Sequence, residues 1–174
     1  MSDFIIRPIR IEDAAAINEI RRMDGVRENT LGIISDRVTK TEDFIRGLSE
    51  NDHLLVAEFE EEGARKVVGL IGMNVSRNPR LRHSASIGLM VHPDYQGRGI
   101  GTALFEKIID LADNWLMLTR LELAVFVENQ RAVKLYESLG FQIEGIKKYA
   151  SIKNGKYVDA ASKIPFNTTP SLKA

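Results

Sequence analysis

Between Ala85 and Val127 the chain passes from an apolar segment through a glycine-rich turn into an amphipathic segment, and then into a second apolar one. Ala85 to Val91 predicts a strand. From Gly99 to Leu118, the residues Ile100, Leu104, Ile108, Leu111 and Trp115 recur at helical spacing on one face. Leu121 to Val127 returns as an apolar strand broken only by Glu122, the pattern of a strand covered on both faces. Strand, helix and strand in that order imply a parallel pair with a right-handed crossover. The chain is therefore expected to build an α/β fold around a mixed sheet.

The flanking segments supply the other strands and helices. Phe4 to Arg7 reads as a strand closed by Pro8, and Asp13 to Met23 spaces Ala16, Ile17, Ile20 and Met23 as a helix does. Residues 24 to 40 lack clear periodicity, and Thr41-Glu42-Asp43 is expected to open a second helix through Phe44, Ile45 and Leu48. His53 to Phe59 and Lys66 to Val75 predict a hairpin across Glu60-Glu61-Glu62-Gly63, with Ala85 to Val91 as the third strand of a meander. Asn129 reads as the cap of a helix burying Ala132, Val133, Tyr136 and Leu139 and stopped by Gly140. Phe141 to Lys153 and Lys156 to Ile164 flank Asn154-Gly155, a strong hairpin signal. The sum is about seven strands with helices on both faces. One domain is expected over 1–165, with a polar tail at 166–174 that frays.

The turn Val91-His92-Pro93-Asp94-Tyr95-Gln96-Gly97-Arg98-Gly99-Ile100-Gly101-Thr102 carries the chemical signal. It feeds the start of a helix, where unpaired N–H groups and the helix dipole favour an anion such as a pyrophosphate. Glycines let that backbone approach phosphate oxygens without a Cβ in the way. An ordinary loop before a helix would share these features, so the detail of the pattern matters. It is neither the Gly-x-Gly-x-x-Gly of dinucleotide folds nor a P-loop ending in Gly-Lys-Ser/Thr.

Composition removes other classes of function. With no cysteine there is no disulfide framework, thiol nucleophile or Cys-rich zinc site. His53, His83 and His92 are not spaced to share a metal, and no metal site is expected. Lys+Arg and Asp+Glu are equal at 24 each, so no global field gathers nucleic acid. No apolar run nears the roughly 18 residues of a membrane span, and a cytoplasmic protein without membrane or nucleic-acid partners is expected.

Gln96-x-x-Gly99-x-Gly101 resembles the acetyl-CoA signature of the Gcn5-related N-acetyltransferase (GNAT) family, Arg/Gln-x-x-Gly-x-Gly/Ala. Asn129-x-x-Ala132-x-x-x-Tyr136-x-x-x-Gly140-Phe141 is similar to that family's second motif. Asp113-Asn114-Trp115-Leu116, the strand Leu121 to Val127 and the close Asn154 to Ala160 resemble its bacterial L-amino-acid N-acyltransferase branch in particular. The resemblance spans nearly the whole chain to about residue 164. It implies a splay between the fourth and fifth strands and direct transfer of acetyl from acetyl-CoA to a primary amine of a small molecule, with an L-amino acid as one candidate. Protein N-termini, polyamines, antibiotic amines or a non-catalytic acetyl-CoA-sensing module are the alternatives. A homodimer through the last strands is implied only by the resemblance.

By that resemblance, pantetheine would bond the backbone of Leu89, Met90 and Val91 as an added strand does. Gln96, Gly97, Arg98, Gly99, Ile100, Gly101 and Thr102 would hold the pyrophosphate through main-chain N–H groups. Arg98 would either add a side-chain contact or stay solvated. Asn129 would touch the cofactor or act only as a helix cap. Tyr136 matches the residue that protonates the departing thiolate, although a packed core tyrosine would occupy the same position. Some relatives carry a glutamate five positions before the motif asparagine, and Ala124 stands there here. Glu122 shares its sheet face but reads better as a solvated carboxylate, so no strong general base is expected. Without one, a terminal α-amine near pKa 8 is the easier acceptor: neutralising it at pH 7 costs about 1.4 kcal/mol, against about 4.6 for a lysine-like amine, and a free amino acid, whose own carboxylate holds the ammonium, falls between the two. The acceptor's carboxylate would need Arg, Lys or free N–H groups, and Glu28-Asn29-Thr30-Leu31 with Arg82 and His83 is the candidate region, a solvated loop being the plain reading of each.

Overall fold

A computed structural model describes residues 4–61 and 63–165. The expected frayed tail and Glu62 of the expected acidic turn lie outside the described residues. In chain order the elements are β1 (Phe4–Pro8), α1 (Ala14–Arg22), α2 (Val38–Arg46), β2 (Asp52–Glu61), β3 (Ala64–Val75), β4 (Ser84–Val91), α3 (Ile100–Asp110), β5 (Arg120–Phe126), α4 (Gln130–Ser138), β6 (Phe141–Lys153) and β7 (Lys156–Pro165). The strands follow the order β1-β2-β3-β4-β5-β7-β6. β4 and β5 are parallel, with Ser84 opposite Arg120 and Ser86 opposite Glu122. β1–β2, β5–β7 and β6–β7 are antiparallel. The mixed seven-stranded sheet agrees with the sequence reading.

Among the described residues two compact units are distinguished, one within residues 4–73 with 88–108 and the other within residues 74–87 with 109–165. In the first, β1 lies along β2 with Phe4 opposite Phe59. The Arg7 guanidinium bonds both oxygens of Asp13, at 2.8 and 2.9 Å, and the Glu58 carboxylate as well. α1 buries Ala14, Ile17 and Ile20, and Ile17 joins Val56 and Val67 in a cluster against which Met90 packs.

α2 begins at Val38, three residues before the expected start, and ends at Arg46, short of Leu48. Thr41 does not open the helix. It is buried, with its hydroxyl 3.4 Å from the amide of the equally buried Asn18. A tertiary hydrogen bond has taken the group that the sequence offers as a cap. Phe44, placed by spacing among the apolar positions, is 53% exposed.

α3 buries Ile100, Leu104 and Ile108 as the spacing predicts, together with Phe105. Beyond Asp110 the helix widens into a π turn over Leu111–Trp115, marked by the Leu116 N–H bonding the Leu111 carbonyl at 3.1 Å. A π turn advances each residue by a smaller angle than an α turn. The buried stripe therefore passes to Ala112, and Trp115, expected on the apolar face, is 76% exposed.

In the second unit, Leu121, Leu123 and Val125 of β5 are buried, and Leu123 lies opposite Lys163 of β7. Asn154 and Gly155 both take positive φ, at 49° and 73°, the requirement of the tight turn expected there. α4 is capped by Asn129 and followed by Gly140, as read from the sequence. Of its expected buried face only Tyr136 is fully covered, while Ala132, Val133 and Leu139 are half-buried.

Candidate active site

Val91 ends β4, and the His92 N–H continues the sheet by bonding the Val68 carbonyl at 2.8 Å. The buried His92 ring accepts the Asp94 N–H at Nδ1, 3.2 Å away, and so starts the single 3-10 turn Pro93–Tyr95. Burial, and then the ammonium of Lys66, hold its pKa below the ordinary histidine value, so the ring stays neutral and keeps that acceptor. The Gln96 amide donates to the Val91 carbonyl at 2.9 Å and ties the turn back to the strand it leaves.

Gly97 and Gly99 follow with φ of 79° and 80°. A Cβ on Gly99 would meet nothing within 4 Å. Glycine is required there for the left-handed backbone, which costs an L side chain about 1 kcal/mol or more. The Gly99 carbonyl takes the Ala103 N–H at 3.0 Å. The N–H groups of Ile100, Gly101 and Thr102 thus belong to the first turn of α3, where no intrahelical acceptor exists for them. Ile100 is 1% exposed and serves as an anchor through its side chain, leaving only its backbone for a ligand.

The seat of this helix depends on Gly69 of β3, which the sequence reading did not single out. A Cβ at that position would lie 3.2 Å from Leu104, 3.3 Å from Ile100 and 3.5 Å from the Met90 carbonyl. An isolated glycine inside a strand pattern signals such a close approach, and that signal was available. Leu89, Met90 and Val91 are half-buried. Met90 packs against the Ile17, Val56 and Val67 cluster, and one lone pair of the Val91 carbonyl is already engaged by Gln96.

Arg98 is exposed, as a surface arginine would be, yet its guanidinium is held against two rings. Its guanidinium lies 5.0 Å from the centroid of the Tyr95 ring and 5.5 Å from that of Phe59. The Tyr95 hydroxyl donates to Glu61 at 2.7 Å. Nothing local in the sequence announces this group, because Phe59 and Glu61 come from the end of β2.

In the second unit, Tyr136 is 7% exposed and its ring lies 6.2 Å from that of Phe141. Burial pushes its phenol up to about 12. It is thus a neutral hydrogen-bond donor at any physiological pH, not a base. The Asn129 carbonyl oxygen accepts the Ala132 N–H at 3.2 Å, so the cap is formed. Glu122 is bound by Arg120 at 2.5 Å, and the same guanidinium holds Glu144 at 2.5 Å. An ion-paired carboxylate on a half-exposed strand is a poor general base, and Ala124 is exposed and offers none.

Of the residues suggested for an acceptor's carboxylate, Glu28 accepts the Gly25 N–H and pairs with Arg27, and Asn29 donates to the Gly25 carbonyl. Both shape their own loop. Leu31, Arg82 and His83 are exposed. Among the described residues no three His, Asp or Glu side chains converge to hold a metal ion, and no helix is long and apolar enough to cross a membrane.

The model of the acetyltransferase (GNAT) family matches residues 21–141. The chain is 37% identical over 163 residues to the L-amino acid N-acetyltransferase AaaT of Escherichia coli K12, covering 92% of this chain and 96% of that protein. It is 32% identical over 99 residues to a spermidine N(1)-acetyltransferase of Vibrio cholerae, covering 57% of this chain and 56% of that one. Among solved structures, a GNAT acetyltransferase of Streptococcus pneumoniae superposes with a TM-score of 0.77 at 28% identity, over 92% of this chain and 98% of that one. The spermidine N-acetyltransferase of Vibrio cholerae in complex with CoA and spermine reaches 0.81 at 22% identity, over 94% and 95%. The second likeness speaks for the fold alone.

Proposed function

The chain belongs to the GNAT acetyltransferase family, and from that premise we propose that it acetylates the α-amine of a free L-amino acid. One observation carries the donor half of this reading: a helix start opened by two positive-φ glycines, with first-turn N–H groups unused by the helix. Gly97 to Thr102 take the pyrophosphate, and the backbone of Leu89 to Val91 takes pantetheine. An N–H near Met90 or Val91 polarises the thioester oxygen. Asn129 contacts the cofactor beside its role as cap.

In the transfer, the acceptor nitrogen bonds to the acetyl carbon, the C–S bond breaks, and the proton shed by nitrogen ends on sulfur. Tyr136 donates a hydrogen bond to that sulfur. Handing a proton outright from a phenol at about 12 to a thiolate near 8.5 would cost about 5 kcal/mol. The phenol therefore moves its proton in step with the one leaving the amine and does not act as a free-standing acid.

Two observations favour an amino acid over a polyamine. The relative matched over nearly its full length acts on L-amino acids, whereas the spermidine enzyme is matched over little more than half. A polycation also requires unengaged carboxylates, and Asp24, Glu28 and Asp36 of the loop after α1 are each paired with a cation, namely Arg27, Arg27 and Lys40. The test is an acetylation screen with acetyl-CoA against free L-amino acids, spermidine and a short peptide. Turnover confined to the amino acids is expected, and faster turnover of spermidine or the peptide would overturn the acceptor assignment.

A further inference from the structure

Arg98 stands between two glycines on an exposed turn, where a long cationic side chain ordinarily samples many rotamers and loses them on meeting a ligand. Here it is already held. The face of Tyr95 lies 5.0 Å below its guanidinium and that of Phe59 5.5 Å away, both within cation–π range. Tyr95 has little freedom of its own. It is 6% exposed, and it meets Phe59 edge-on at 5.1 Å and 62° and His92 at 5.1 Å and 89°. Its hydroxyl is bonded to Glu61 at 2.7 Å. The Glu61 carboxylate accepts a hydrogen bond from the phenol, which enriches the ring in electron density and strengthens its hold on a cation. Lys66, 5.6 Å from the same ring, adds a second positive charge to the cluster.

We infer that Tyr95, held by Glu61, is a positioning residue for Arg98. It pre-orders the guanidinium beside the first turn of α3, so that the cation meets a phosphate of acetyl-CoA without the usual cost of ordering. This rests on the donor half of the proposed function. The tyrosine and the carboxylate need not touch the ligand themselves.

Calorimetric titration with coenzyme A tests it in the wild type, Tyr95→Leu, Arg98→Gln and the double variant. Each single change is expected to weaken binding about tenfold. The double variant is expected to bind as Arg98→Gln alone, because Tyr95 has nothing left to position. Tyr95→Phe and Glu61→Gln keep the ring in place, so they remain informative if Tyr95→Leu does not fold. Each should lose about two- to threefold in affinity with kcat retained. Losses that multiply in the double variant, or full affinity in Tyr95→Phe and Glu61→Gln, overturn the inference. Absence of coenzyme A binding by the folded wild type overturns the proposed function instead.

Discussion

In the proposed mechanism Tyr136 is the residue on which the chemistry turns, and its surroundings define what it can do. Burial holds the phenol neutral, which suits donation toward a developing thiolate and excludes a role as base. Tyr136→Phe keeps the packing against Phe141 and removes only the hydroxyl. Turnover is expected to fall by about 10² or more while coenzyme A affinity is unchanged, and unaltered turnover would remove the assignment. In the proposed mechanism the protonated phenol is the active form, and with burial pushing it up to about 12 no loss of activity from this group is expected below pH 10. In the wild type kcat/KM should climb with pH as the acceptor amine loses its proton and then stay level. A fall between pH 8 and 10 would point to a different acid.

Among the elements, α4 and α3 present their functional groups in different ways. α4 is begun by the Asn129 side chain, and a cap of this kind contributes about 1 kcal/mol. Serine caps as well as asparagine does, so two variants separate the structural role from ligand contact. Asn129→Ala is expected to lower stability in urea by about 1 kcal/mol, whereas Asn129→Ser should not. Weaker coenzyme A binding in the serine variant is expected if Asn129 reaches the cofactor, and equal binding in all three proteins would leave it a cap alone. α3 is positioned from the side: Gly69 admits Ile100 and Leu104 close to the sheet. The glycine turn thereby receives a fixed base for its N–H groups.

At the scale of the whole molecule, the Arg7, Asp13 and Glu58 group joins β1, the residue before α1, and β2. Burial works to raise the Asp13 carboxyl, but bonds from Arg7 and the Arg10 N–H outweigh it and leave the pKa below the ordinary 3.8. A carboxyl depressed in the fold stabilises above its unfolded pKa and loses that contribution as pH falls through the folded value. The urea midpoint is therefore expected to drop on going from pH 5 to pH 2.5, and to drop less in Asp13→Asn. Equal drops in both proteins would show that this group does not control the acid limb.

Much of this protein was legible from short range. The helical spacing of Ile100, Leu104 and Ile108, the strand of β5, the Asn129 cap and the Asn154-Gly155 turn are each specified within a few residues, where backbone sterics and side-chain periodicity act. The turn at Gly97 and Gly99 belongs with them, because left-handed backbone is a local demand that glycine meets. What the chain could not announce arises between distant segments. Thr41 serves the buried Asn18 instead of opening α2, and the π turn carries Trp115 out to solvent. Gly69 seats α3, and Glu61 fixes Tyr95 beneath Arg98. These outcomes depend on which side chains compete for the same space and the same hydrogen bond once the chain has closed on itself, and only the tertiary structure brings such competitors together.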